Sequence, residues 1–240
     1  MAGDLATVQV YEDTGMLKPG APVERTGAPL SLWLGPGLIG NIYDGVQRPL
    51  PALEKQSGVW IKRGDKADPL DAGKLWDYRP LLKAGQAVTP GQTAGLVRET
   101  ELVEHKVLVP PGVSGTVRSA AGPGGYGIKE TLAVVDAPSG PAEIKMMQLW
   151  PVRRPRPARE RLRAAEPLVT GQRVIDTFFP IAKGGCACIP GGFGTGKTIT
   201  QHQLAKWSDA SIIIFIGCGE RGNEMTEVLR EFPELKDPRT

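Results

Sequence analysis

One stretch near the end of the 240-residue chain fits the phosphate-binding pattern G-x-x-x-x-G-K-[ST]. Glycines let the backbone fold tightly enough for its N–H groups to surround a β-phosphate. The lysine supplies a point charge to the β- and γ-phosphates, and the final hydroxyl can ligate Mg²⁺. The pattern therefore predicts nucleotide binding rather than an ordinary glycine-rich turn. This phosphate loop consists of Gly191, Gly192, Phe193, Gly194, Thr195, Gly196, Lys197 and Thr198.

The segments that flank the phosphate loop fit the same prediction. Residues 185–190 are small and apolar, which is typical of a buried strand. Residues 199–207 contain neither glycine nor proline and predict a helix. Strand, loop and helix in this order aim the helix N-terminus, with its unpaired N–H groups, at the phosphates.

A second apolar run, residues 211–217, is rich in isoleucine and carries no charge. This pattern predicts a parallel strand buried on both faces, joined to the first strand in a right-handed βαβ unit. Ligands of such sheets bind beyond the carboxyl ends of the strands, where Glu220 and Arg221 follow. Glu220 could activate a water molecule and Arg221 could neutralise charge on a γ-phosphoryl group. Alternatively, Glu220 only caps the next helix, as Asn223 or Glu224 could equally do.

Composition and charge limit the partners and the types of structure that this chain can have. A formal net charge of +3 is too small to indicate nucleic acid or a lipid surface as a partner. The 31 glycines and 22 prolines are spread among apolar runs and predict many short strands and turns. The longest apolar run, residues 212–216, is too short to span a bilayer. Three cysteines, Cys186, Cys188 and Cys218, are expected to be small buried residues rather than disulfides or metal ligands.

The chain divides into four predicted segments. Residues 1–34, with strands expected at 6–11 and 30–34, form the remnant of a β-barrel, and residues 35–78 are a connector. Residues 79–148 form a β-rich insertion, and residues 149–240 begin a nucleotide-binding domain that is incomplete. The basic, proline-rich stretch 150–157 is interpreted as a linker rather than a nucleic-acid patch because few aromatic residues accompany it.

Part of the β-rich segment resembles the flattened barrel of lipoyl and biotinyl carrier domains. Residues 83–88 and 107–117 carry this likeness, and Lys106 lies roughly where a modified lysine could lie. Its neighbours, His105 and Val107, lack the carrier signature. The favoured interpretation is a structural β-module.

Several motifs together resemble the catalytic A subunits of the vacuolar/archaeal-type rotary ATPases. They cover essentially the whole chain in order and include motifs specific to A subunits. The matching segments are residues 42–50, 150–154, 190–198, 203–207, 217–225, 231–235 and 237–240.

The resemblance implies an α/β P-loop fold of the RecA type, preceded by a barrel remnant and by the β-rich "bulge" insertion of A subunits. Lys197 matches the phosphate lysine, Thr198 the Mg²⁺ ligand, Glu220 the water-activating carboxylate and Arg221 the γ-phosphate contact. The implied ligands are ATP or ADP with Mg²⁺. Thr195 replaces the P-loop cysteine of eukaryotic vacuolar enzymes, which removes a thiol switch at that position.

The implied assembly is a ring in which three A subunits alternate with three B subunits. Rotation of a central stalk couples ATP hydrolysis or synthesis to H⁺ or Na⁺ movement through a membrane sector, so the protein is expected to be cytoplasmic and peripheral to the membrane. No nucleic acid is expected as a partner. Because no strand ending in aspartate follows the phosphate loop, we expect a subunit truncated at both ends and inactive on its own.

Two other classes of protein are alternatives. A RecA-type translocase on RNA or DNA shares the P-loop core but would need a basic or aromatic-rich binding surface, and the sequence shows none. The second alternative is a non-catalytic nucleotide-binding regulator. The B subunit of this family, as a comparison, lacks the glycine-lysine-threonine loop that is present here, which argues against that class.

Overall fold

The computed structural model describes residues 5, 7–156, 158, 160, 162–192 and 194–234. The chain forms two compact units, Met1–Pro157 and Ala158–Thr240. Phe193, which the sequence places in the phosphate loop, lies outside the described residues. No helix in the described part of the chain is long and apolar enough to cross a membrane.

The first unit is built almost entirely from short antiparallel strands, as the abundance of glycine and proline predicts. One helix, α1 (Leu50–Ser57), interrupts them; its Pro51 stands in the first turn, where a missing N–H costs no hydrogen bond. The strands are β1 (Ser31–Leu34), β2 (Leu75–Pro80), β3 (Ala87–Val88), β4 (Thr93–Arg98), β5 (Glu104–Leu108), β6 (Gly115–Ala120), β7 (Gly124–Gly127), β8 (Ala133–Ala137), β9 (Gly140–Ile144) and β10 (Gln148–Pro151).

Two four-stranded sheets, in the orders β5-β4-β2-β7 and β3-β6-β8-β9, contribute the core of this unit. Side chains alternate between core and solvent, so that Trp76 and Tyr78 of β2 are buried while their neighbours are exposed. Ala133 and Val135 of β8 contribute from the other sheet. The predicted β-module is confirmed, and Lys106 lies within β5 opposite Leu96 rather than in a turn.

A close approach of backbone and ring fixes part of this core. Tyr78 is 2% exposed, and its hydroxyl donates a hydrogen bond to the Ala94 carbonyl. Burial raises the pKa of Tyr78 to about 12, so the phenol keeps the proton that it donates. A Cβ atom at Gly95 would overlap the Tyr78 ring, so this position requires glycine.

A buried carboxylate anchors an irregular segment to the same unit. One oxygen of Glu99 accepts hydrogen bonds from the backbone N–H groups of Gly37 at 2.6 Å and Ile39 at 3.4 Å. The other oxygen lies 3.9 Å from Nδ1 of His105, and the Glu99 side chain is only 6% exposed. Burial lowers the pKa of His105, with the Glu99 charge opposing this effect and the Arg156 charge adding to it.

The described part of the second unit contains three short elements followed by two longer helices. Strands β11 (Pro167–Leu168) and β12 (Ile181–Ala182) pair antiparallel around the short helix α2 (Arg173–Phe178). Helices α3 (Lys197–Trp207) and α4 (Gly222–Glu231) follow, and a 3₁₀ turn, Phe232–Glu234, succeeds α4. The helix predicted after the phosphate loop is confirmed as α3.

Four local predictions differ from the structure. Thr7–Tyr11 of the first predicted strand is irregular, whereas the second forms β1. Residues 185–190 and 211–217 are not strands, and Ile214 and Ile216 are 81% and 77% exposed. A parallel strand takes its hydrogen bonds from neighbours, and no described strand pairs with either segment, so the predicted βαβ unit is absent there. Cys186 and Cys188 lie in residues 185–190, and Cys218 directly follows residues 211–217. All three cysteines are exposed, because neither segment forms a buried strand.

Gly95→Ala should lower the unfolding free energy of the first unit by about 2 kcal/mol, because the added methyl group forces the Tyr78 ring to move in a packed core. Urea denaturation followed by the fluorescence of buried Trp76 and Trp150 measures this change. Gly125→Ala is the matched control, since its Cβ meets only Leu75 at 3.9 Å. Equal stability of the two variants would contradict the assigned packing.

Lowering the pH from about 7.5 to 5.5 should destabilise the first unit through His105. Its pKa is lower in the folded chain than the ordinary 6.5, so the unfolded chain binds the extra proton first. The unfolding free energy therefore falls as the pH drops below the unfolded value. Urea titrations at several pH values should show a smaller fall in His105→Gln. Identical pH profiles in parent and variant would remove His105 as the cause.

Candidate nucleotide-binding site

The phosphate loop bends sharply through two left-handed glycines. Gly194 has φ 77° and Gly196, the residue before α3, has φ 82°, a region that other residues enter at a cost. Gly191 is needed for a steric reason instead, because a Cβ atom at this position would overlap the Thr195 hydroxyl. That hydroxyl donates a hydrogen bond to the Gly192 carbonyl at 2.8 Å, which closes the loop on itself.

Lys197 lies over this loop. Its ammonium donates hydrogen bonds to the carbonyls of Gly191 and Gly192, both at 2.6 Å. The two carbonyls hold a point charge beside the N-terminus of α3, where the helix dipole and the unpaired N–H groups also favour an anion. Thr198, half-buried, follows in the first turn of α3. The arrangement suits a phosphate group with a metal ion at the hydroxyl.

Helices α3 and α4 meet in their C-terminal halves. Lys206 near the end of α3 forms an ion pair with Glu231 at the end of α4, with Nζ and Oε2 2.5 Å apart. His202, one turn earlier on α3, lies near Glu227, one turn earlier on α4. These contacts join the two helices through side chains.

Glu220 and Arg221 immediately precede α4 and so lie at its N-terminal end.

Glu220 is exposed and has no hydrogen bond or ion pair among the described residues. Arg221 is the N-cap of α4 in an extended conformation, with φ −76° and ψ 147°, and its carbonyl accepts the N–H of Met225. No side chain among the described residues caps this helix, so Glu220, Asn223 and Glu224 make no capping hydrogen bond there. The Glu220 side chain is open to solvent.

Glycine also shapes the turn before α4. Gly219 has φ 72°, and a Cβ atom at Gly217 would lie 2.7 Å from the Met225 sulfur. The sequence singled out the phosphate loop, Glu220 and Arg221 but assigned no role to His202, Lys206 and Glu231, which join the two helices. The signal was weak, since these residues lie on two helices with no shared motif.

A glycine loop, a lysine at a helix N-terminus and a carboxylate beside a second N-terminus define the class of P-loop nucleotide-binding domains. Three domains of one family match this chain, each over a separate segment. They are the ATP synthase alpha/beta family β-barrel domain over residues 1–27, the ATP synthase alpha/beta subunit barrel-sandwich domain over 67–153, and the family's nucleotide-binding domain over 171–238. The chain belongs to the ATP synthase alpha/beta family.

Curated relatives match along the full length of the chain. The A subunit of the A-type ATP synthase of Methanopyrus kandleri is 57% identical over 238 residues, which cover 99% of this chain and 40% of the relative. The corresponding A subunit of Thermococcus sibiricus and the V-type ATP synthase alpha chain of Halothermothrix orenii are each 56% identical over 241 residues, 100% of this chain and 41% of the relative. The chain thus spans about two fifths of the length of these relatives.

Lys197→Ala should weaken ATP binding about 10- to 100-fold, because a charge-assisted contact to the phosphates is lost. Titration of the 240-residue chain with a fluorescent ATP analogue and Mg²⁺ measures it. Lys129→Ala removes the same charge from an exposed position of the first unit and should change the affinity by no more than about twofold. Equal losses in both variants would show that Lys197 has no specific role.

Proposed function

We propose that this sequence belongs to the catalytic subunit of a rotary V/A-type ATPase or ATP synthase, which couples ATP turnover to ion transport across a membrane. The observation that carries the proposal is the phosphate loop at the start of α3, where two left-handed glycines bend the backbone and the Lys197 ammonium lies over the loop carbonyls. The sequence pattern supports placing Glu220 and Arg221, which precede α4, at the same site. The names of the relatives, as A subunits of A-type and alpha chains of V-type ATP synthases, support the same assignment.

The chemistry divides between the two helix starts. Loop N–H groups and Lys197 bind and orient the β- and γ-phosphates, so that the terminal phosphorus faces a water molecule. Glu220 orients that water and takes its proton on a carboxylate oxygen as the water oxygen bonds to the γ-phosphorus. The bond from this phosphorus to the β–γ bridging oxygen breaks in the same step, and ADP leaves. Arg221 stabilises the negative charge that develops on the γ-phosphoryl oxygens.

The metal is assigned to Thr198. Its hydroxyl stands next to Lys197 at the start of α3, which is the position of the hydroxyl ligand in P-loop proteins. The chain therefore fits Mg²⁺ bound together with ATP or ADP, and the ion would neutralise phosphate charge. Gly191, Gly192, Phe193, Gly194, Thr195 and Gly196 complete the proposed nucleotide-binding residues.

The proposed partners are those that the resemblance to A subunits of rotary ATPases implies. Three such subunits would alternate with three B subunits, and a central stalk would transmit rotation to a membrane sector that carries H⁺ or Na⁺. This assembly is cytoplasmic and peripheral to the membrane. A translocase on nucleic acid is not favoured, because the net charge of +3 provides no strong electrostatic footprint.

Glu220→Gln should lower ATP hydrolysis about 100-fold while ATP still binds, because the amide keeps the size of the side chain but cannot take a proton. The measurement is steady-state phosphate release by a complete catalytic subunit that carries this sequence and is assembled with its partners. Nucleotide affinity is measured in parallel.

Glu224→Gln, in the first turn of α4, is the matched control and should retain turnover within about twofold. Retained turnover in Glu220→Gln would remove Glu220 from the chemistry. An equal loss in both variants would indicate damage to α4 instead of a lost base.

A further inference from the structure

Three potential metal ligands meet between α3 and α4, away from the nucleotide site. His202 of α3 and Glu227 and Glu231 of α4 each offer one ligand atom, and these atoms lie within 4.8 Å of one another. Glu227 and Glu231 are one helical turn apart and so share a face of α4. His202 lies one turn or more beyond Lys197 and Thr198, the residues assigned to phosphate and Mg²⁺.

His202 is buried among aromatic rings. It is 4% exposed, and its ring packs edge-on against Phe215 and Phe232, with centroids 5.8 Å and 5.7 Å away. The two phenylalanines also contact each other at 5.3 Å. This cluster fixes the position of the imidazole and excludes water from most of its surface.

The imidazole nevertheless carries an unsatisfied polar atom. Nε2 of His202 is buried and has no hydrogen-bond partner among the described residues. A buried polar atom of this kind costs free energy unless an ion or water molecule satisfies it. A nitrogen on a fixed imidazole beside two carboxylates is a donor set that binds divalent transition metals.

We infer that His202, Glu227 and Glu231 form a binding site for a divalent transition metal, for which Zn²⁺ is the best match. One nitrogen and two carboxylate oxygens leave a fourth, open position for water. Ligand atoms on one tetrahedral zinc lie about 3.4 Å apart, so the carboxylates must move inward by about 1 Å. Glu227 is exposed and free of packing that would prevent this movement.

Lys206 would compete with a metal ion for the Glu231 carboxylate. Its ammonium lies 2.5 Å from Oε2 of Glu231 and is half-buried, so it neutralises one carboxylate when no metal is bound. Metal binding requires this ammonium to move away or to retain only one of the two carboxylate oxygens. A bound ion would tie the C-terminal halves of α3 and α4 together, a role separate from the phosphate chemistry.

Zinc binding by the 240-residue chain tests the inference. The three exposed cysteines are first replaced by serine, because thiolates bind zinc on their own. Nucleotide is omitted, which leaves the Thr198 site without phosphate ligands. Calorimetric titration should show one Zn²⁺ bound per chain with a Kd of about 1 µM or tighter. Substitution by Co²⁺ should give the visible absorption of a tetrahedral ion.

Glu227→Gln, which alters an exposed side chain, should weaken binding at least about tenfold, as should His202→Gln. Lys206→Met should strengthen binding, because the competing cation is gone. Glu224→Gln on the same helix and His105→Gln, the other histidine, should bind zinc as the parent does. Absence of zinc binding, or binding unchanged by Glu227→Gln, overturns the inference, and so does equal weakening by Glu224→Gln.

Discussion

The contact between the C-terminal halves of α3 and α4 is the interaction on which the second unit depends. This unit buries few of its described side chains, and two of them, His202 and Val228, belong to these helices. The Lys206–Glu231 ion pair and the ring cluster at His202 join the two helices there. A charge pair and an aromatic cluster, rather than a broad apolar face, therefore connect them.

Sequence reasoning recovered the parts of the site that depend on local backbone chemistry. The phosphate loop was visible because left-handed turns and close approaches demand glycine, and α3 was visible because residues 199–207 lack helix breakers. The strands predicted on either side failed for the opposite reason. An apolar run such as residues 211–217 acquires strand geometry only when neighbouring strands supply hydrogen bonds, and composition does not reveal those neighbours.

In the first unit, too, local patterns could be predicted from the sequence and contacts between distant residues could not. Short alternating segments between turn residues predicted a β-module, and the observed sheets bury the alternate side chains of β2 and β8 as expected. The pairing orders and the contact of Gly95 with Tyr78 could not be predicted, because they join residues distant in sequence. The Glu99 anchor was invisible for the same reason, since an acidic residue is more often solvated than bound to distant backbone N–H groups.

The pairing of β1 with β10 has a consequence for how this fold can vary. Leu34 pairs with Gln148 and Ser31 pairs with Pro151, so the chain enters and leaves the two four-stranded sheets through one antiparallel pair of strands. The residues between β1 and β10 form one continuous segment, and its two ends stay one inter-strand spacing apart whatever its length. Insertions and deletions within this segment can therefore accumulate without displacing the residues before β1 and after β10.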